Sequence, residues 1–196
     1  MKDIVFATGN RNKLREAREI LGGDFNILMP ADFGFEEDIP ETHETIPENA
    51  EEKARFVWDR FHRDCFADDT GLEVDYLNGA PGVYSARYAG EPKNPVENVR
   101  KLLAELEGVP FEKRTARFRC DVALVENGKL TLFEGICEGH IALEPMGELG
   151  FGYDPVFIPQ GMDKTMAMLS LEEKNSVSHR GRAMDKLVCY LKGKAE

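Results

Sequence analysis

Apolar residues recur in short runs and at helical spacing along the first third of the chain. Residues 3–7 and 25–29 are apolar runs of strand length, which predict two buried strands. Residues 12–21 place their apolar side chains on one face and end at two glycines, which predicts a helix. A longer helix is predicted over 47–61, with a proline at its first position. Residues 30–46 between these elements are acidic and irregular.

The middle of the chain is dominated by β-like runs. Residues 65–67 and 72–76 predict two short strands on either side of a polar turn. Residues 115–125 and 129–143 are longer runs joined by Glu-Asn-Gly, and Asn-Gly between such runs is a strong hairpin signal. A helix is predicted over 94–106, between the short strands and the hairpin.

The last quarter combines a glycine-rich loop with further helical signals. The loop covers 147–152 and is followed by a short strand at 156–158. A Ser-Leu-Glu-Glu capping box at 170–173 and apolar residues at helical spacing over 183–191 predict helical structure. We find no repeat, low-complexity segment or linker. The pattern predicts a single α/β domain over 1–196, elongated and two-lobed, around a long mixed β-sheet with flanking helices.

Composition and charge narrow the classes of function. The chain has 196 residues, of which 42% are hydrophobic and 31% charged, as expected of a soluble globular protein. No apolar run approaches the roughly 18 residues that span a bilayer, so we expect no membrane partner. The formal net charge of −11 argues against binding of duplex nucleic acid through a broad basic face. A local cationic cleft can still bind a small anion.

The cysteines and histidines do not have the spacing of a zinc site. They are Cys65, Cys120, Cys137, Cys189, His43, His62, His140 and His179. Three of the cysteines lie inside apolar runs, and we expect them to be buried thiols. Free thiols are typical of a reducing compartment, so the sequence predicts a cytoplasmic protein.

The most informative segment is an apolar run that ends in two adjacent carboxylates, Asp68 and Asp69, followed by Thr70 and a glycine. Adjacent acids repel, and they are costly at the end of a buried strand unless a cation holds them. Mg²⁺ prefers such oxygen ligands, often together with phosphate oxygens. A solvated turn is the alternative, since these are turn residues. A further acid from the loop over 36–44 would complete a metal site, and spacing alone does not select one.

Three further segments carry candidate ligand-binding groups. The turn over 8–13 presents backbone N–H groups at a helix N-terminus together with a lysine, which suits phosphate. Phe151 lies between two glycines and could stack on a nucleobase. Residues 173–182 place cationic donors near the last predicted helix. Taken singly, the alternatives are an ordinary turn, a core-facing aromatic and a solvated charged face.

In this order the segments resemble the inosine triphosphate pyrophosphatase family, also called the Ham1 family, over nearly the whole chain. The matching motifs are Phe6-Ala7-Thr8-Gly9-Asn10 with Lys13, Glu48-Asn49-Ala50 with Lys53, Ala67 to Leu72, Gly79 to Tyr88, Phe151 to Pro155, Glu173-Lys174-Asn175 and Ser178 to Gly181. Jointly these motifs are very specific. The stretch at 79–88 resembles the bacterial branch of dITP/XTP pyrophosphatases.

The resemblance implies a two-lobed α/β fold with an active-site cleft between the lobes, usually as a homodimer. It also implies Mg²⁺-dependent hydrolysis of ITP, dITP and XTP to the monophosphate and pyrophosphate, which removes them from the nucleotide pool. Asp69 would be the catalytic carboxylate. The metal ligands would be Asp69, Glu41 and Asp68, with Glu37 or Glu44 as alternatives to Glu41. The substrate-binding residues would be Thr8, Gly9, Asn10, Arg11, Asn12, Lys13, Lys53, Thr70, Phe151, Gly152, Tyr153, Asp154, Lys174, His179 and Arg180.

The implied chemistry agrees with the charges of these residues. Lys13, Lys53 and Mg²⁺ would stabilise the roughly four negative charges of a triphosphate. Arg180 carries donors only, so it would pair with the 6-keto group of hypoxanthine or xanthine and reject the 6-amino group of adenine. Guanine also has a 6-keto group, and the sequence identifies no residue that would exclude it through its 2-position.

Two other functions compete with this interpretation. A Maf-type nucleotide pyrophosphatase would prefer other bases, and the Ser-His-Arg segment at 178–180 favours the purine interpretation over it. A catalytically silent nucleotide-binding regulator would be expected to lack Asp69 or Lys13, and both residues are present.

Overall fold

A computed structural model describes residues 2–193, and its first elements are those predicted from the sequence. Strand β1 spans Lys2–Phe6, helix α1 spans Arg11–Leu21 and strand β2 spans Phe25–Leu28. The side chain of Asn10 caps α1, and Gly22 ends it with a positive φ of 64°. The predicted bounds of all three elements differ from the observed ones by no more than one residue.

The predicted pair of short strands around the two aspartates is wrong. Helix α2 spans Ile46–Phe61, and a single strand, β3, then runs without interruption over Cys65–Val74. Asp68, Asp69 and Thr70 therefore lie inside a strand and not in a turn. A strand can carry adjacent carboxylates here because its side chains alternate between two faces and each acid meets its own cation.

The predicted hairpin is confirmed. Strand β5 spans Thr115–Glu126 and strand β6 spans Lys129–Ile141, with Asn127 and Gly128 between them. Both turn residues have positive φ, 50° and 80°, as a tight two-residue hairpin turn requires. Helix α3, at Pro95–Glu105, precedes the hairpin.

The remaining elements are short, apart from the last helix. Strand β4 spans Pro81–Gly82, β7 spans Phe157–Pro159, α4 spans Leu171–Val177 and α5 spans His179–Leu191. The predicted capping box is confirmed, because the Ser170 hydroxyl accepts from the Glu173 N–H while the Glu173 carboxylate accepts from the Ser170 N–H. Ser178 has extended backbone angles and separates α4 from α5.

The seven strands form one mixed sheet in the order β2-β1-β3-β5-β6-β7, with β4 paired to β3. Strand β1 is parallel to both β2 and β3, whereas the β3–β4 and β6–β7 pairs are antiparallel. The α/β class with a mixed sheet and flanking helices is confirmed. In the register of β1 and β3, Phe6 lies opposite Phe66, so Asp68 and Asp69 lie just beyond the end of β1, beside the turn that leads into α1.

The described chain divides into two compact units. The first contains residues up to 69, 120–135 and 180 onwards, and the second contains 70–119 and 136–179. Two apolar clusters fill the first unit, one around Phe6, Phe66 and α5 and one around Ala54 and α2. A third cluster, built on Leu102 and Phe157, fills the second unit. Each unit therefore has a core of its own.

The state of the cysteines and the lengths of the helices bear on two predictions, the buried thiols and the lack of a membrane-spanning segment. All four cysteines are thiols outside any disulfide, and Cys189 alone among them is exposed. Burial raises the pKa of the Cys65 thiol to about 12. Within residues 2–193, no helix is both long enough and apolar enough to cross a membrane.

Candidate active site

The turn between β1 and α1 is held by its own side chains. The Thr8 hydroxyl accepts from the Asn10 N–H at 3.1 Å, and the Asn10 side chain accepts from the N–H groups of Asn12 at 2.9 Å and Lys13 at 3.3 Å. The predicted phosphate cradle over 8–13 is thus ordered, with several of its N–H groups capped from within. Gly9, Asn10, Arg11 and Asn12 are exposed, and a Cβ on Gly9 would meet nothing within 4 Å.

Asp68 is a buried carboxylate whose two oxygens pair with two different cations. Its Oδ1 accepts from Lys13 Nζ at 2.9 Å and its Oδ2 accepts from Arg180 Nε at 2.8 Å. Burial disfavours the charged form, yet the charges of Lys13 and Arg180 outweigh it and hold the pKa of Asp68 far below its ordinary value. Asp68 is therefore an anion at neutral pH whose two oxygens are both engaged by cations.

Arg180 is joined to a further acid, Glu16 of α1. The Arg180 guanidinium, 2% exposed, donates to the carboxylates of Glu16 and Asp68. Burial lowers the pKa of Arg180, but the two carboxylates raise it more, and the net shift is upward. Sequence reasoning missed Glu16. The available signal was its position between Leu14 and Ala17 on the buried face of α1.

Asp69 faces a different lysine. Lys53, which is 4% exposed on α2, contacts Asp69 Oδ1 at 2.9 Å and Glu41 Oε1 at 2.7 Å. Burial raises the pKa of Asp69, and Lys53 only partly opposes that shift. Burial also lowers the pKa of Lys53, but Asp69 and Glu41 outweigh it and raise the value overall. Asp68 and Asp69 thus have pKa shifts of opposite sign, a pattern typical of acids with different roles.

The carboxylates around Lys53 fit one mode of magnesium binding. Among residues 2–193, no group of three or more His, Cys, Asp or Glu side chains is arranged to hold a metal ion by itself. Mg²⁺ usually takes only one or two carboxylates and completes its shell with water and substrate phosphates. Glu41 and Asp69 already share one cation, the Lys53 ammonium, so their oxygens fit that mode. Glu37 and Glu44 are exposed acids of the same loop.

The second unit brings together four of the predicted base-pocket residues. The Asp154 carboxylate, 3% exposed, accepts from the Phe151 N–H and from Lys174 Nζ, both at 2.7 Å. The Lys174 ammonium lies 4.6 Å from the centre of the Phe151 ring. Gly150 has a φ of 77°, and a Cβ on it would stand 2.1 Å from Asp154 Oδ2. Gly152, with a φ of 63°, completes the loop.

Tyr153 and His179 are buried against other parts of the second unit. The Tyr153 hydroxyl donates to the Ser85 carbonyl at 2.8 Å, which anchors the 79–88 motif. The His179 ring stacks on Phe118, with the ring centres 4.5 Å apart. Thr70 is partly buried in β3. His179 belongs to the second unit, whereas its neighbour Arg180 belongs to the first, beside Asp68 and Glu16. Base contacts by these residues remain predictions.

Comparisons with known proteins agree with the motifs. The sequence model of the Ham1 family matches residues 4–190. A dITP/XTP pyrophosphatase of Caldanaerobacter subterraneus subsp. tengcongensis is 51% identical over 193 residues, covering 97% of this chain and 96% of that protein. A dITP/XTP pyrophosphatase of Bacillus subtilis is 50% identical over 189 residues, covering 95% and 96%.

Structural similarity leads to the same family. A solved structure of a HAM1 protein from Coxiella burnetii has a TM-score of 0.89 and 40% sequence identity, and the similarity covers 98% of this chain and all of that one (100%). The family match and the curated relatives together span nearly the whole chain. The chain belongs to the Ham1 family.

Proposed function

We propose that this protein hydrolyses ITP, dITP and XTP to the nucleoside monophosphate and pyrophosphate, and so removes them from the nucleotide pool. The observation that carries the proposal is the pair Asp68 and Asp69, each buried and each held by its own lysine. Relatives about 50% identical over nearly the whole chain are dITP/XTP pyrophosphatases, which supports the same reaction and substrate class.

The cationic side chains of the first unit would bind the triphosphate. Lys13 and Lys53 are positive groups in a protein whose net charge is −11, and both lie beside the paired aspartates. Catalysis of phosphoanhydride cleavage consists mostly of positioning and of charge stabilisation. In this proposal the two ammonium groups leave some of their carboxylate partners and bind phosphate oxygens instead. The turn over Thr8 to Asn12 then orients the triphosphate.

A magnesium ion is part of the proposal. Glu41 and Asp69 would hold it, and Asp68 would instead keep Lys13 and Arg180 in place, because both of its oxygens already accept from them. When bound, Mg²⁺ would neutralise phosphate charge and lower the pKa of water in its shell.

Asp69 would act as the general base. Its pKa is raised by burial, which makes the carboxylate a better proton acceptor than an ordinary aspartate. Asp69 would orient a water and accept its proton as the water oxygen attacks the α-phosphorus. Pyrophosphate would then leave, with its charge balanced by Lys13 and Lys53.

The second unit would bind the base. The Phe151 ring offers a flat surface for stacking, and Lys174 of the same unit carries hydrogen-bond donors only. Donors suit the 6-keto group of hypoxanthine and xanthine, whereas the 6-amino group of adenine would leave both partners unpaired.

The homodimer and the cytoplasmic location belong to the proposal as well. The thiol state of all four cysteines supports a reducing compartment. A homodimer is expected from the resemblance, and light scattering on the purified protein would test it. The acidic net charge supports a small anionic substrate over duplex nucleic acid as the partner.

A panel of purified nucleotides tests the proposed function. With Mg²⁺ present, we expect dITP, ITP and XTP to be cleaved much faster than ATP, GTP or pyrimidine triphosphates, with pyrophosphate as the product. Release of orthophosphate would contradict cleavage at the α-phosphorus. A preference for pyrimidine or modified bases would favour a Maf-type activity, and binding without turnover would favour a silent regulator.

A further inference from the structure

Glu41 lies in a part of the chain that has no regular secondary structure. Residues 35–45 form neither helix nor strand, and Glu41 is only partly buried. A carboxylate on an irregular segment is placed reproducibly only if the backbone beside it is fixed, since ordering such a segment costs conformational entropy. The two residues after Glu41 show how its backbone is fixed.

Asn49, on the first turns of α2, binds the backbone of His43 in both directions. Its Oδ1 accepts from the His43 N–H at 2.9 Å, and its Nδ2 donates to the His43 carbonyl at 3.1 Å. The side chain is buried, with 3% of the residue exposed. A buried amide whose donor and acceptor both pair with one residue's backbone fixes the position of that residue.

Glu52 binds Thr42, the residue before His43, through both of its carboxylate oxygens. Its Oε2 accepts from the Thr42 N–H and its Oε1 accepts from the Thr42 hydroxyl, both at 2.7 Å. Residues three and four apart lie on one face of a helix, so Asn49, Glu52 and Lys53 form a single surface on α2. They bind His43, Thr42 and Glu41 in turn, and this sequence of contacts fixes the register of the segment.

The three contacts differ in what happens to them during the proposed reaction. The contact between Lys53 and Glu41 joins two groups that the proposed function assigns to phosphate and to metal, so it cannot also hold the segment during turnover. The contacts of Asn49 and Glu52 go to backbone groups and a hydroxyl, and they use no group of the reaction. They can persist through the whole cycle.

We propose that Asn49, assisted by Glu52, is a positioning residue that fixes the Glu41 carboxylate at the magnesium site by clamping the backbone of Thr42 and His43. The proposal rests on the proposed function for the identity of the ligand at Glu41. It goes beyond that function because the affinity for metal would depend on an uncharged side chain that is not itself a ligand of metal or substrate.

A matched pair of variants tests this clamp. Asn98 in the second unit is equally buried, at 3% exposure, and also binds backbone in both directions: it accepts from the Ala89 N–H at 2.7 Å and donates to the Ala86 carbonyl at 3.0 Å. Asn98 also donates to the Ser85 carbonyl at 3.3 Å, so Asn98→Ala should destabilise the full-length protein at least as much as Asn49→Ala. Only Asn49→Ala should change the metal site.

The primary measurement is Mn²⁺ binding, with and without a non-hydrolysable dITP analogue, followed by electron paramagnetic resonance. Asn49→Ala should weaken binding on the order of tenfold, as expected for the loss of two ordinary hydrogen bonds, while Asn98→Ala stays at the wild-type affinity. The Mg²⁺ concentration for half-maximal dITP hydrolysis should rise in parallel. Hydrogen exchange at the His43 amide should be slow in the wild type and fast in Asn49→Ala.

Each of the other possible outcomes contradicts the clamp, the metal site or the proposed function. Equal Mn²⁺ affinity in both alanine variants, or a fast-exchanging His43 amide in the wild type, overturns the clamp and leaves the proposed function standing if dITP is still cleaved. A weakened Mn²⁺ affinity confined to Asn49→Ala, in a protein that cleaves no purine triphosphate, supports the clamp and overturns the proposed function. A wild-type protein that binds no Mn²⁺ either with or without the nucleotide analogue overturns the metal site and the clamp together.

A second pair covers the case in which Asn49→Ala does not fold. Glu52→Gln removes one charge and weakens the contacts to Thr42, and Glu51→Gln removes one charge from the neighbouring residue, which pairs with Arg55 at the surface. We expect a several-fold loss of Mn²⁺ affinity in Glu52→Gln beyond that in Glu51→Gln. Equal losses would mean that only the net charge of α2 matters, and the clamp would be wrong.

Discussion

Two equally buried lysines, one in each unit, have different groups around their ammonium nitrogens. Lys53 of the first unit is 4% exposed and contacts two carboxylates, Asp69 and Glu41. Lys174 of the second unit is also 4% exposed, but its contacts include one carboxylate, Asp154, and the face of the Phe151 ring. The same ammonium group is thus surrounded by anions in one unit and shared between an anion and an aromatic ring in the other.

This difference indicates which kind of ligand each unit suits. In the first unit, Lys13, Lys53 and Arg180 interact with Glu16, Glu41, Asp68 and Asp69, so the carboxylates outnumber the cations. Such a cluster can accept a further cation together with the phosphate charge that the cation accompanies. In the second unit, an ammonium beside an aromatic face suits a flat, uncharged ring with a hydrogen-bond acceptor at its edge.

The largest effect should come from Asp69→Asn. The near-isosteric change removes the proposed general base, so turnover of dITP should fall by roughly a hundredfold to ten-thousandfold. The melting temperature should stay the same or rise, because burial already disfavours the Asp69 charge. Calorimetry and pyrophosphate release measure the two quantities.

Asp68→Asn is the matched control for that variant. It leaves Lys13 and Arg180 with a weaker partner in a buried site, so stability should fall by about 3–5 kcal/mol, the usual cost of breaking a buried ion pair. A folded Asp69→Asn protein with wild-type turnover would remove Asp69 from the mechanism.

The comparison of the two lysines is tested directly by Lys53→Met and Lys174→Met. Loss of a charged donor lowers kcat/KM by roughly ten- to a hundredfold. Lys53→Met should lower the values for dITP and ATP by the same factor, because both substrates carry the same phosphates. Lys174→Met should lower the dITP value far more than the ATP value. If both variants affect the two substrates equally, the assignment of the second unit to base binding is wrong.

A smaller effect is expected from Gly150→Ala, with Gly152→Ala as its control. Both glycines have positive φ, 77° and 63°, so both variants should lose about 1–2 kcal/mol of unfolding free energy to backbone strain. A Cβ at Gly150 would also collide with Asp154 Oδ2, whereas one at Gly152 meets nothing within 4 Å. Urea unfolding should show a further loss of about 1–3 kcal/mol for Gly150→Ala alone. Equal losses would mean that Asp154 moves aside without cost.

The smallest effect concerns the acidic loop. Glu41→Gln should raise the Mg²⁺ concentration for half-maximal rate by about tenfold, since it weakens one of two carboxylate ligands. Glu44→Gln makes the same charge change at an exposed residue and should leave that concentration unchanged. If that concentration rises for Glu44→Gln and not for Glu41→Gln, Glu44 is the ligand. An equal rise in both variants would indicate a general electrostatic effect.

Local signals in the sequence were sufficient for most elements of the fold. The Asn127-Gly128 turn and the capping box at Ser170 act over two to four residues, and each is found where it was predicted. The interruption predicted within β3 was wrong because Asp, Thr and Gly are turn residues by propensity, whereas the cations that keep Asp68 and Asp69 in a strand are remote in the sequence.

The sequence by itself determined the α/β class, the family and the set of motifs that carry charge, because these depend on residue identity and on short-range pattern. Only the tertiary structure decided which cation meets which acid. Lys13 precedes Asp68 by 55 residues and Arg180 follows it by 112, and no periodicity in the chain relates positions so far apart. Glu16 and Asn49 acquire their roles in the same way, since burial and partners depend on the packing of α1 and α2 and not on the residues beside them.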